Sequence, residues 1–135
     1  MTPDSIGLVD TSVFIARESG RPIGELPERV AVSVVTIGEL QLGVLAATDA
    51  ERRSRRADTL ALARAADPLP ISEAVMVSWA HLVADCRAAG VRRAVKLTDS
   101  LIAATAIEHG LPVVTQDEDF DAIAQAHARL VVSRV

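Results

Sequence analysis

Apolar positions along the chain fall into two kinds of stretch. Short β-branched runs occur at Ile6–Asp10, Val30–Ser33, Pro68–Ile71, Pro112–Thr115 and Arg129–Val132. Such runs, bounded by polar or turn residues, predict strands. Between them lie longer stretches that predict helices: one starting at Val13, then Val34–Ala47, Ala50–Ala66, Ser72 to about Ala89, Thr98 to the Gly110–Pro112 turn, and Phe120–His127. Ser33, Thr48 or Asp49, Ser72 and Thr98 stand where N-caps belong, and Gly90 stands where a helix ends. The helix after Thr98 is apolar or small on every side (Leu101, Ile102, Ala103, Ala104, Ala106, Ile107), which predicts a buried helix. Strands alternating with helices imply a parallel sheet with helices on both faces. Without a repeat, a low-complexity segment or a dividing linker, residues 1–135 read as a single domain.

Composition narrows the function classes. A hydrophobic share of 50% with 24% charged residues argues for a packed core rather than disorder. The one cysteine, Cys86, excludes an intrachain disulfide and reads as a small buried residue, so a reducing, cytoplasmic setting is expected. The first ten residues carry no basic region and no long apolar core, so no signal peptide is expected. Ser33, Thr36, Glu39, Gln41 and two glycines interrupt the one stretch, Val30–Thr48, that resembles a membrane span. A net charge of −4 argues against a large phosphate-neutralising surface. It says little against a site whose own carboxylates are filled by cations. With only Phe14, Trp79 and Phe120, an aromatic base-stacking platform is poorly supported, and all three read as core. The run Arg52-Arg53-x-Arg55-Arg56 is the one basic cluster, either a solvated helix face or a phosphate-contacting rim.

Several chemistries fail on motif grounds. There is no GxGxxG and no GxxxxGK[ST] to cradle phosphates, and no GxSxG elbow for a nucleophilic serine. His81, His109 and His127 lack zinc-ligand spacing. Carboxylates remain: Asp10 after the first strand, Glu39 in the helix after the second, Asp99 opening a helix, and Asp117 with Asp119 after Thr115. In an open parallel sheet the carboxyl ends of the strands line the ligand crevice, so these groups are expected at one edge. Simpler roles exist for two of them. Asp10 is a common N-cap residue, and Thr36-x-x-Glu39 fits a capping box, although Ser33 is the better cap and places Glu39 a turn and a half inside the helix. Crowded carboxylates cannot all ionise without cations, and all-oxygen ligands suit Mg²⁺ or Mn²⁺. Metals so held are typical of phosphoryl-transfer hydrolysis.

Four motifs in order, Val9-Asp10-Thr11-Ser12, Thr36-x-x-Glu39-Leu40, Thr98-Asp99-x-x-Ile102-Ala103-Ala104-Thr105-Ala106 and Val114-Thr115-x-Asp117-x-Asp119-Phe120, span nearly the whole chain. Together they resemble PIN-domain ribonucleases, and the short length is similar to the VapC-type toxins of prokaryotic toxin–antitoxin pairs. The resemblance implies a three-layer α/β/α sandwich with a parallel sheet of four to five strands. It also implies Mg²⁺- or Mn²⁺-dependent RNA cleavage, a homodimer, and a cognate antitoxin protein in the active-site groove. Asp10, Glu39, Asp99 and Asp117 would form the acidic catalytic and metal-binding quartet, with Asp119 an accessory metal or supporting group. Thr11, Ser12 or Thr115 would orient carboxylates or water. Ser12 departs from the asparagine of many relatives, which weakens any claim for a side-chain amide there.

Two other classes stay open. A receiver-like phosphoacceptor domain also gathers acids at a sheet edge. It needs adjacent acids after the first strand and a lysine after the last, whereas Asp10 stands alone and Lys96 is the only lysine. A non-catalytic RNA- or protein-binding module would bind its partner and leave RNA intact in Mn²⁺.

Overall fold

Adjacent residues of each strand point to opposite faces, and here both faces are covered. The computed structural model describes residues 5–91 and 95–135. In β1 (Ile6–Val9), Leu8 joins one core and Val9 the other; Val113 and Val114 of β3 (Val113–Thr115) divide in the same way. On the first side lie α4 (Glu73–Ala88), α5 (Leu97–Glu108) and α6 (Asp119–Ala126), contributing Leu82, Ile102, Ile107, Phe120 and Ile123. On the second lie α1 (Thr11–Glu18), α2 (Val34–Ala46) and α3 (Ala50–Arg64), contributing Val13, Phe14, Leu40 and Leu60. The result is the expected three-layer α/β/α sandwich. Each fully buried aliphatic or aromatic side chain in it contributes about 1.5–3 kcal/mol.

The sheet has four parallel strands in the order β2-β1-β3-β4, where β2 is Arg29–Ala31 and β4 is Val132–Arg134. The chain leaves β1 toward β2 and later returns to the opposite side as β3. The switch point, where a crevice opens, therefore lies between the carboxyl ends of β1 and β3. Asp10 N–H donates to Val114 O at 2.9 Å, locking those two ends together.

Local chemistry explains most boundaries. Ser33, Asp49 and Ser72 accept from Val35, Arg52 and Val75 backbone N–H groups and so cap α2, α3 and α4. Gly90 closes α4 at φ +77°, a conformation open to glycine without steric cost. Arg53 and Arg56 on α3 reach back to the carbonyls of Ala47 and Gly43, satisfying acceptors that the end of α2 leaves unpaired. Helix α5 is buried from Ile102 through Ile107, as its uniform apolarity predicts, and Cys86 lies in the core beside it.

Three expectations need correction. Thr98 is not the cap of α5: Lys96 holds the extended capping position without a side-chain bond, and the helix starts at Leu97. Pro68–Ile71 forms no full strand. Proline has no N–H to give, so only Leu69 between Pro68 and Pro70 can pair, donating to Val32 O and accepting from Val34 N–H. The last strand is Val132–Arg134 rather than Arg129–Val132, because Leu130 enters the core from a turn closed on His127 O. Arg92 and Arg93 of the Val91–Leu97 connection lie outside the described residues.

Gly7 tests the close approach of β1 to its neighbours. A Cβ there would stand 2.6 Å from Val114 Cγ2 and 3.1 Å from Pro27 Cγ. Gly7→Ala is expected to lower the unfolding free energy by about 1–3 kcal/mol, the usual cost of overpacking. Denaturant unfolding checks this, and an unchanged midpoint would show that β1, β3 and Pro27 part without cost.

Candidate active site

Asp10 follows directly on β1, with only 3% of its surface exposed. It occupies the N-cap position of α1 yet makes no side-chain cap bond. Its Oδ2 instead accepts from Ser12 Oγ at 2.7 Å and from Thr115 Oγ1 at 2.8 Å. Each hydroxyl has one proton, so the 3.2 Å approach of Ser12 to Thr115 is forced by their shared acceptor rather than bonded. Both hydroxyls are in turn pinned by the loop after β3: Gln116 N–H donates to Ser12 Oγ and Asp117 N–H to Thr115 Oγ1, each at 3.0 Å. The same small cluster thus orients Asp10 and sets the path of the chain into Asp117.

Glu39 is fixed by a second relay. Thr11 donates to Glu39 Oε1 at 2.7 Å, which leaves buried Thr36 to donate to Thr11 at 3.0 Å. The capping-box reading fails on both members, since Ser33 caps the helix and the Thr36 hydroxyl is engaged across the site. The pair Thr36–Thr11 is separated by 25 residues, so spacing within one helix could not signal it.

Asp99 sits in the first turn of α5 with its Oδ2 buried and, among the described residues, without a hydrogen-bond partner. Its carboxyl is pushed from 3.8 up to about 6, first by burial, then by the negative charges of Asp10 and Asp119. Lys96 pulls the other way, and Glu39 adds a further push. Asp117 is also raised, by burial and then by Asp10 and Asp119, against Lys96 and Arg21. Asp99 and Asp117 therefore both feel the charges of Asp10 and Asp119, and Asp99 also feels that of Glu39. Sequence reasoning left Lys96 without a specific role. Its Nζ stands 3.9 Å from Asp119 Oδ2, and its place three residues before Asp99 was the available signal.

The donor set suits a hard divalent cation: several carboxylate oxygens, one of them buried and unpartnered among the described residues. Among the described residues, no three carboxylates converge tightly enough to chelate one ion as they stand. Asp10 is held in place by its two hydroxyl donors, whereas Asp117 and Asp119 are exposed.

A carboxyl whose native pKa exceeds its unfolded value keeps its proton longer when folded. Between 3.8 and about 6 the native chain then binds more protons than the unfolded one, and stability falls as pH rises through that window. In EDTA, the melting temperature is expected to rise as pH is lowered from about 7 to about 5, and Asp99→Asn should reduce that rise. An equal rise in the variant would contradict the strain assigned to Asp99.

Comparison with known proteins identifies the family. The PIN domain family model matches residues 7–126. Ribonuclease VapC8 of Mycobacterium tuberculosis is 77% identical over 101 residues, covering 75% of this chain and 90% of that protein. Ribonuclease VapC4 of the same organism is 50% identical over 121 residues, covering 86% and 89%. A crystal structure of VapBC-5, a member of the VapBC family of toxin–antitoxin systems from Mycobacterium tuberculosis, superposes with a TM-score of 0.84 at 39% identity, covering 97% of this chain and 99% of that one. With the family model spanning both the first strand and the last helix, and the acids at the switch point between β1 and β3, the chain belongs to the PIN-domain family.

Proposed function

We propose that this chain is a metal-dependent endoribonuclease and the toxin of a type II toxin–antitoxin pair. The observation that carries the reading is the half-buried Asp99, its Oδ2 unpartnered among the described residues and its charge opposed by Asp10 and Asp119, in a PIN-domain chain. Relatives named ribonuclease VapC support the activity, and likeness to a VapBC toxin–antitoxin structure supports the partner.

Asp10, Asp99 and Asp117 would hold Mg²⁺ or Mn²⁺, with Asp119 beside them and Glu39 nearer a second position. Such an ion, when bound, acidifies water and offsets charge on the departing 3′ oxygen. The residues of the chain have separate tasks. Ser12 and Thr115 keep Asp10 turned into the crevice. Thr11 holds Glu39 in the orientation that its bond to Thr36 sets. Lys96 lessens the repulsion around Asp119 and offers a cation at the mouth of the site.

Partner binding has its own support. On α2, Leu42 and Leu45, three and six residues past Glu39, are 67% and 71% exposed. An antitoxin segment with an apolar helix face would cover them, as helix-in-groove partners do. The resemblance to VapC-type toxins adds a homodimer to this reading.

The test is RNA cleavage in Mn²⁺, in Mg²⁺ and in EDTA, with wild type and Asp99→Asn prepared side by side. Cleavage should require one of the two ions and fall about 100-fold or more in the variant, as expected when a metal ligand is lost. Asparagine is a tolerated first-turn residue, so the variant should remain folded. No cleavage by wild type in either ion, or full cleavage by the variant, would overturn the assignment.

A further inference from the structure

The basic run of α3 is only partly used by the fold. Arg53 turns back to Ala47 O, but Arg52, Arg55 and Arg56, at i, i+3 and i+4, share one helix face. With Glu18 and Ser19 of the α1 end they line a depression of about 280 Å³. A second depression of about 290 Å³ shares Glu18, Ser19 and Arg56 and continues to Glu39. With these three residues in common, the two make one groove from Glu39 to the arginines. Arg56 is positioned in it by its 2.7 Å bond to Gly43 O. Gly43 lies four residues past Glu39 on α2, about 6 Å along the helix, roughly one nucleotide step.

Charge along the groove changes sign. At one end stands the carboxylate of Glu39, a member of the acidic set. At the far end three guanidiniums face the single carboxylate of Glu18, which is itself engaged by the hydroxyl of buried Thr59 at 2.8 Å. Arg52 has only a loose 3.7 Å contact with Asp49, and Arg55 makes no ion pair among the described residues. Guanidinium donors in this number fit phosphate oxygens.

We propose that this groove is a track for the RNA backbone, in which Arg52 and Arg55 hold a phosphate beyond the one cleaved and Arg56 holds the step between. The inference rests on the ribonuclease reading above and extends it to how substrate is positioned. An acidic protein segment would also answer the arginines. It would then meet the carboxylate of Glu39 at the other end with like charge, whereas a phosphodiester chain meets the acidic set through the cations it holds.

The experiment uses Arg52→Gln/Arg55→Gln in the full chain, leaving Arg56 to its structural bond. Affinity for a labelled, mixed-sequence single-stranded RNA is measured in the Asp99→Asn background over a range of salt. Loss of the phosphate contact that Arg52 and Arg55 share should weaken binding about tenfold at low salt and make the log–log salt slope shallower by about 0.7, the value per neutralised phosphate on single strands. With Asp99 intact, KM for a long RNA should rise while kcat changes little. Arg52→Lys/Arg55→Lys should keep the wild-type salt slope, which a merely structural role would not require. Unchanged affinity and slope in the glutamine variant, while wild type cleaves RNA in Mn²⁺, would overturn the track and leave the ribonuclease reading standing. Failure of wild type to cleave would bring down both.

Discussion

The parallel pairing of β1 with β3 is the constraint on which the rest depends. One backbone bond, Asp10 N–H to Val114 O, brings residues more than a hundred positions apart to the same sheet edge. Only then can Thr115 reach the carboxylate of Asp10, and only then can Ser12 meet Gln116. A carboxylate as buried as Asp10 is costly without partners, and two hydroxyl donors on one oxygen offset that cost. The two-sided core behind the strands makes the pairing rigid, so the orientation of Asp10 is a property of the whole sandwich. The crevice opens at that point because the strand order reverses there.

Asp99 shows the opposite economy. It stands where a helix favours negative charge, yet its burial and its acidic neighbours outweigh that benefit and raise its pKa to about 6. Nothing in the packing of α5 requires a carboxylate there. Retaining a buried oxygen without a hydrogen bond to any described residue is the kind of local conflict that folds keep at functional sites. Lys96 and Arg21 relieve the repulsion only in part, which leaves the cluster suited to a divalent cation.

Much of this was legible from residue order. The strands at Ile6–Val9 and Val113–Thr115, the caps at Ser33, Asp49 and Ser72, and the buried character of α5 follow from local periodicity and capping chemistry. So does the gathering of acids at the carboxyl ends of parallel strands. The failures are equally physical. Lys96 caps α5 through backbone conformation alone, so a search for capping side chains settles on Thr98 instead. Leu130 is apolar because it plugs the core from a turn, which mimics the start of a strand. The relay from Thr36 through Thr11 to Glu39 joins two helices, and no spacing rule within either one reveals it. The roles of Arg53 and Arg56 as acceptor-satisfying side chains for α2 were hidden inside what looked like a uniform basic run.

If Asp10 anchors one cation site among the acids at the β1–β3 switch point, Mn²⁺ binding must depend on its carboxylate. Titration calorimetry with Mn²⁺ tests it most directly, on the wild-type chain and on Asp10→Asn at the same pH. Saturable binding by wild type and its loss in the variant are expected, with the variant still unfolding cooperatively. No binding by the folded wild-type chain, or undiminished binding by Asp10→Asn, would contradict it.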